Sequence, residues 1–254
     1  MCGICGFVGN KKGNWDRENI LEEMKDTIRH RGPDDGGSWL SENAALGFRR
    51  LSIIDLESGA QPMKNENGDK VLVFNGEIYN YQQLREELLQ AGHIFATHSD
   101  TEVLIHGYEE WGGDMLNRLR GMFAFVIWDE EKKELFAARD YFGIKPLYYT
   151  VVGESLVFAS EIKSILKYPE YKKELNEQAL EQFLSFRYSA LEETFFKGIY
   201  RLEPGSFLRW RSGSIILEIQ KYFEPTLKPE EGKTGKEWLS AVDEVIKNSV
   251  KAHE

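Results

Sequence analysis

Short strands joined by connectors too short for a helical crossover dominate the first 160 residues. Gly3–Val8, Ala44–Phe48, Ser52–Asp55, Lys70–Asn75, Met122–Asp129, Glu134–Asp140, Leu147–Val152 and Ser155–Ala159 are rich in β-branched or aromatic residues and are bounded by turn residues. A parallel pair needs a crossover of a dozen or more residues, whereas Asp129–Lys133 and Gly153-Glu154 have turn length. The pattern therefore demands antiparallel sheets. Met122–Trp128 is apolar on both faces, which places it between two layers. Helices are fewer. Asp16–His30 carries Ile20, Leu21, Met24 and Ile28 on one face and ends at Gly32-Pro33. Tyr81–Ala91 stops at Gly92, a Ser99-x-x-Glu102 capping box opens a helix to about Trp111, and Asn176 caps another. The simplest assembly is an α+β fold, a four-layer α/β/β/α sandwich of two antiparallel sheets.

Past residue 200 the pattern changes. Glu203–Ser206 reads as a turn, and a hairpin runs through Ser212-Gly213. The stretch 221–236 is polar and reads as a linker; Glu237–Glu254 is amphipathic through Leu239, Val242, Val245, Ile246 and Val250. The organisation expected is a domain over 2–220, a linker over 221–236 and a helix over 237–254. That helix has no core of its own. It either docks back or opens a further domain.

Charge and cysteine usage remove several classes. The net charge is −10 with no dense run of Lys and Arg, which argues against nucleic acid. No basic stretch precedes an apolar core at the N-terminus, and the longest apolar run, Met122–Trp128, is too short to span a bilayer. No membrane partner and a cytoplasmic location are therefore expected. The two cysteines form Cys2-Gly3-Ile4-Cys5, but nothing precedes the pair and a strand follows. A redox C-x-x-C normally follows a strand and opens a helix. Zinc needs about four ligands, and the histidines lie singly at 30, 93, 98, 106 and 253, so no metal site is expected. Residues three apart on a strand face opposite ways, which makes Cys5 a buried small hydrophobe.

Cys2 is different. If Met1 is removed, Cys2 holds a thiol beside the chain's own α-amine. An α-amine titrates near neutral pH and can take a thiol proton, so one residue supplies nucleophile and base. Attack on an amide builds an oxyanion, which requires prearranged donors. Asn75-Gly76 at a strand end offers two, the Asn side-chain amide and the Gly N–H. For an amino-acid substrate, Arg50 can grip a carboxylate, and Asp100 with Glu77 can hold an ammonium.

Several motifs act together. Met1-Cys2-Gly3-Ile4, the loop Arg29–Gly37, Phe48–Asp55 and Phe74–Asn80, with Asp100, resemble the class II glutamine amidotransferases, which are N-terminal-nucleophile hydrolases. Arg120–Phe125, Ala138–Tyr148 and Ala159–Lys163 extend the likeness, and Gly76–Asn80 makes it closest to the glutamine-hydrolysing asparagine synthetases. The resemblance implies that Cys2 attacks the glutamine carboxamide and that Asn75 and Gly76 form the oxyanion hole. It implies that Arg50 binds the carboxylate and Asp100 the ammonium, that backbone atoms of Leu51 and Ile53 line the pocket, and that Gly32 lies in a loop over the bound glutamine. These enzymes carry a second, ATP- and magnesium-using domain with a Ser-Gly-Gly-x-Asp-Ser loop. That motif is absent, so the resemblance implies a truncated chain, with no cofactor of its own, whose ammonia feeds a synthetase domain lying outside it. Another amide-forming synthetase, or a module that binds glutamine without turnover, stays open as an alternative. So does a homodimer.

Overall fold

The structure, a computed structural model, describes residues 1–9, 15–51, 60–214, 216–227, 229 and 232–252. In chain order the first half contains β1 (Gly3–Gly9), α1 (Arg17–Thr27), β2 (Asp35–Leu40), β3 (Ala44–Arg50), β4 (Met63–Lys64) and β5 (Lys70–Ile78). Then come α2 (Tyr81–Ala91), α3 (Asp100–Trp111), β6 (Gly121–Asp129) and β7 (Glu134–Arg139). The rest is β8 (Tyr148–Val152), β9 (Ser155–Ala159), α4 (Ile162–Ile165), α5 (Glu177–Phe186), β10 (Tyr200–Arg201), β11 (Ser206–Arg211), β12 (Leu217–Lys221) and α6 (Gly235–Lys251). No described helix is long and apolar enough to cross a membrane.

The described strands form two six-stranded antiparallel sheets, ordered β10-β8-β9-β1-β3-β2 and β12-β11-β7-β6-β5-β4. Alternation assigns each strand's two faces. From β1, Ile4 and Val8 enter the core between the sheets, while Cys5 and Phe7 pack under α1 with Leu21 and Met24. From β5, Val71 and Val73 face the same inter-sheet core, while Leu72 and Phe74 pack beneath α2 and α3. The strand β6 divides in the same way, Ala124, Val126 and Trp128 inward and Phe123, Phe125 and Ile127 outward, as its double apolarity requires. The expected four-layer sandwich is the observed fold.

Local differences have physical reasons. The segment Asp35-Gly-Gly37, read as part of a loop, begins β2 and pairs with β3. Gly37 is there because a Cβ would strike the Gln61 carbonyl, so composition mimicked a loop where close packing was the cause. Ser99 is the N-cap of α3, its Oγ accepting from the Thr101 N–H, but Glu102 does not close a capping box. Its carboxylate accepts from the N–H groups of Ala96 and Thr97, each at 2.7 Å, and so holds the α2–α3 connection. A true capping box occurs at Thr234 and Glu237 and starts α6 at Gly235, two residues before the expected start. The expected strand Ser52–Asp55 lies outside the described residues.

The loop after β7 is built around one buried carboxylate. Asp140 accepts from the N–H groups of Phe123, Phe142, Ile144 and Lys145 at 2.9–3.2 Å. Arg139 donates to the carbonyls of Gly143, Lys145 and Leu202, each at 2.6 Å. In Asp140→Ala the four donors lose their acceptor, and a buried unpaired polar group costs more than a made bond returns. The substitution should destabilise the fold by about 3–5 kcal/mol, read as a lower denaturant midpoint. A midpoint shift of under about 1 kcal/mol would mean that water replaces the carboxylate.

Candidate active site

Three of the anticipated side chains share the inter-sheet side by strand parity. Leu46 and Phe48 of β3 point into the inter-sheet core, so Arg50 follows them, whereas Arg49 turns out to Asp26 and the Lys25 carbonyl on α1. Ile4 and Val8 set the parity of β1, and Cys2 packs against that same core. Val71 and Val73 do so for β5, and Asn75 comes next. The β1–β3 register pairs Gly3 with Arg49, so one step further Cys2 stands across from Arg50.

Two donors on β5 are left for a ligand. The Asn75 Nδ2 atom is buried and lacks a hydrogen-bond partner, and the residue is only 1% exposed. An unpaired buried amide is expensive, which is a reason to look for what it serves. The neighbouring Gly76 N–H follows from strand alternation. Phe74 N–H donates to Gln61 Oε1 at 2.6 Å and Ile78 N–H to Asp100 Oδ2 at 2.9 Å, both on the edge away from β6. Phe123, opposite Gly76, instead exchanges bonds with Asp140. Gly76 therefore directs its N–H along the same edge as Phe74 and Ile78, between Gln61 and Asp100. A Cβ there would strike the Met122 carbonyl, so no larger residue fits.

Asp100 sits in the first turn of α3, its carboxylate anchored on the end of β5. Burial raises its pKa above the usual aspartate range, the Ile78 N–H opposes the rise, and Glu77 adds to it. Glu77 itself is exposed, within electrostatic reach of Asp100. Gly32 is buried against the backbone of Arg49 and Arg50, where a Cβ could not fit; it thus seats the strand end that carries Arg50. Leu51 is half-buried at the end of that strand, and Ile53 lies outside the described residues.

Two residues of this region carry no role in the sequence reading. Arg31 donates through Nε to the Cys2 carbonyl at 3.0 Å and through Nη1 to Glu161 at 3.0 Å. It fixes the backbone of Cys2 directly. Lys145 is buried, and burial lowers its pKa; Arg31 lowers it further, while Asp140, Cys2 and Glu77 oppose. Both lie in motifs noted above, Arg29–Gly37 and Ala138–Tyr148, but only the fold shows that Arg31 meets the Cys2 carbonyl and that Lys145 lies within electrostatic reach of Cys2. Cys5 faces the other way and is inert: burial pushes its thiol up to about 12.

Comparison with known proteins identifies the family of the chain. The glutamine amidotransferase domain family matches residues 1–223. Asparagine synthetase [glutamine-hydrolyzing] 1 of Bacillus subtilis (strain 168) is 43% identical over 258 residues, covering 98% of this chain and 40% of that protein. Amidase chry2 of Gibberella zeae is 42% identical over 224 residues, covering 82% of this chain and 32% of that protein. The chain thus spans well under half the length of these curated relatives. Among solved structures, the glutamine phosphoribosylpyrophosphate amidotransferase of B. subtilis, complexed with ADP and GMP, superposes with a TM-score of 0.62 at 22% identity, covering 88% of this chain and 50% of that one. That likeness is one of fold. On the family match and the identity across nearly its whole length, this chain belongs to the glutamine amidotransferase domain family.

Proposed function

We propose that this chain hydrolyses glutamine to glutamate and ammonia through Cys2, freed as the N-terminal residue by removal of Met1. The observation that carries the reading is the buried, unpartnered Nδ2 of Asn75, on the inter-sheet side with Cys2 and next to the edge-directed Gly76 N–H. The α-amine of Cys2 takes the thiol proton. The sulfur attacks the carboxamide carbon, and the oxyanion rests on Asn75 Nδ2 and Gly76 N. The ammonium returns its proton to the leaving nitrogen, ammonia departs, and a γ-glutamyl thioester remains. Water, deprotonated by the same amine, cleaves the thioester to glutamate and restores the thiol. Arg50 binds the substrate carboxylate, Asp100 its ammonium, with Glu77 adding negative potential and backbone atoms of Leu51 and Ile53 lining the pocket.

The ammonia acceptor lies beyond residues 2–220. The 43% identity to a protein named as an asparagine synthetase supports aspartate, activated with ATP and magnesium by a synthetase domain that α6 would begin after the 221–236 linker. A relative named as an amidase, 42% identical over 82% of this chain, supports a second reading with another amide-forming acceptor. A cytoplasmic setting belongs to the same reading, on the likeness to a biosynthetic enzyme.

The test is glutamine-dependent glutamate release by protein whose N-terminus has been read by intact mass. Asp100→Asn should raise KM for glutamine about 10–100-fold with a smaller change in kcat, because it removes uniform binding of the substrate ammonium. In the parent protein, kcat/KM should fall with acidification, beginning above the pH at which an ordinary aspartate protonates, since burial raises Asp100. Protonation of the Cys2 α-amine lowers activity in parent and variant alike as pH falls below neutral; the additional, steeper loss from Asp100 should be absent from Asp100→Asn. An unchanged KM would remove Asp100 from the substrate site.

A further inference from the structure

Where the end of α2 meets the middle of α3, three ligand-type side chains converge. His106 and Glu109 lie one turn apart on α3, and His93 follows Gly92 at the end of α2. One ligand atom from each falls within 4.8 Å of the others. His106 Nδ1 lies 2.9 Å from Glu109 Oε2, and His93 Nδ1 lies 3.8 Å from the same oxygen. Tetrahedral zinc, with bonds of about 2.0–2.2 Å, needs ligand atoms roughly 3.3 Å apart, so small side-chain adjustments suffice.

Every one of these groups also has an outer partner. His93 Nε2 lies 3.1 Å from Glu110 Oε2. Glu109 Oε1 accepts from Asn65 Nδ2 at 2.7 Å. His106 Nε2 faces Glu66 and Glu102, each at 3.7 Å. Metal-bound histidines characteristically direct their second nitrogen to a carboxylate. The His106 Nε2 atom is buried and has no hydrogen bond, in a residue 1% exposed. With a proton on Nδ1 toward Glu109, a neutral His106 leaves a lone pair buried against two carboxylates. A metal on Nδ1 selects the other tautomer and gives Glu66 and Glu102 an N–H to accept.

We propose that His93, His106 and Glu109 form a zinc site, with the fourth position open to water. His93 and Glu109 side chains are each 17% exposed, which leaves an entry path. The ion ties the α2–α3 connection, which leads to Asp100, to the middle of α3. A second proton on His106 would satisfy the same nitrogen, so the test must separate a metal from a proton.

Tag-free protein is stripped with a chelator, loaded with zinc alone, freed of excess by gel filtration and analysed for bound metal. About one zinc per chain is expected, retained in Cys2→Ala and in His30→Ala. His93→Ala and Glu109→Gln should each weaken zinc binding at least about 10–100-fold. Cobalt substituted into the unaltered protein should show the intense visible bands of a tetrahedral site, which requires no variant to fold. Zinc at 100-fold above its Kd should raise Tm by about 5–10 °C in the parent and not in His93→Ala. Absence of stoichiometric zinc, zinc that survives both ligand substitutions, or zinc that is lost in Cys2→Ala would each overturn the site.

Discussion

Cys2→Ala should lose glutamate release by at least about 10⁴-fold while still binding glutamine. The loss is large because the chain's one other cysteine, Cys5, cannot replace the thiol. Cys5 faces α1, and burial pushes it to about 12, too high to supply a thiolate near neutral pH. Binding survives because Arg50 and Asp100 are untouched, so glutamine Kd should stay within about tenfold of the parent value. The parent should accumulate a γ-glutamyl adduct of its N-terminal residue on acid quenching, visible by mass, and the variant none. Protein that retains Met1 should behave like the variant, because Cys2 then offers an amide nitrogen in place of an amine. Cys5→Ala is the control, with a modest packing cost and near-parental turnover. Release that persists in Cys2→Ala, or disappears instead in Cys5→Ala, would sink the N-terminal nucleophile.

The parts of this site that were legible in the sequence are those set by local periodicity. Strand alternation alone places Cys2 opposite to Cys5, and the structure agrees, whereas Arg50 and Asn75 were named by their chemistry and motifs and only the fold puts them on the side of Cys2. The antiparallel sandwich followed from hairpin-length connectors and from the double apolarity of Met122–Trp128. What escaped depends on long-range contact. Arg31 meets the Cys2 carbonyl across 29 positions, and nothing in Arg29–Gly37 tells Arg31 from Arg29. Asp140 organises donors from its own loop and from β6, which no spacing rule encodes. Gly36 and Gly37 looked like loop residues because glycine serves both flexible turns and tight backbone packing; here Gly37 serves the second. His106 and Glu109 have helical spacing, but His93 joins them only because the chain reverses between α2 and α3. Isolated histidines in the sequence therefore said little about a metal.

Asn75→Ala should reduce kcat by about 10²–10³ and leave the fold no less stable. The two halves of this expectation come from the same atom. In the free protein Nδ2 is buried without a partner, a state that costs about 1–3 kcal/mol. Removing the amide relieves that cost and creates a small void, so the unfolding midpoint should hold or rise slightly. In the reaction the same N–H is one of two donors to the oxyanion, and with it gone the Gly76 N–H works alone. The ground-state carboxamide oxygen is less charged than the oxyanion, so KM should change only a few-fold while kcat takes the loss. Gly76 cannot supply the complementary test, because any Cβ there meets the Met122 carbonyl and would disturb β5 against β6. A parallel measurement of kcat, KM and midpoint on Asn75→Ala decides the matter. A structural asparagine would lose stability and activity together. A substrate-binding one would raise KM with kcat intact. An oxyanion donor loses kcat alone, and the unpaired amide in the resting protein is then the stability cost of a site prepared for the transition state.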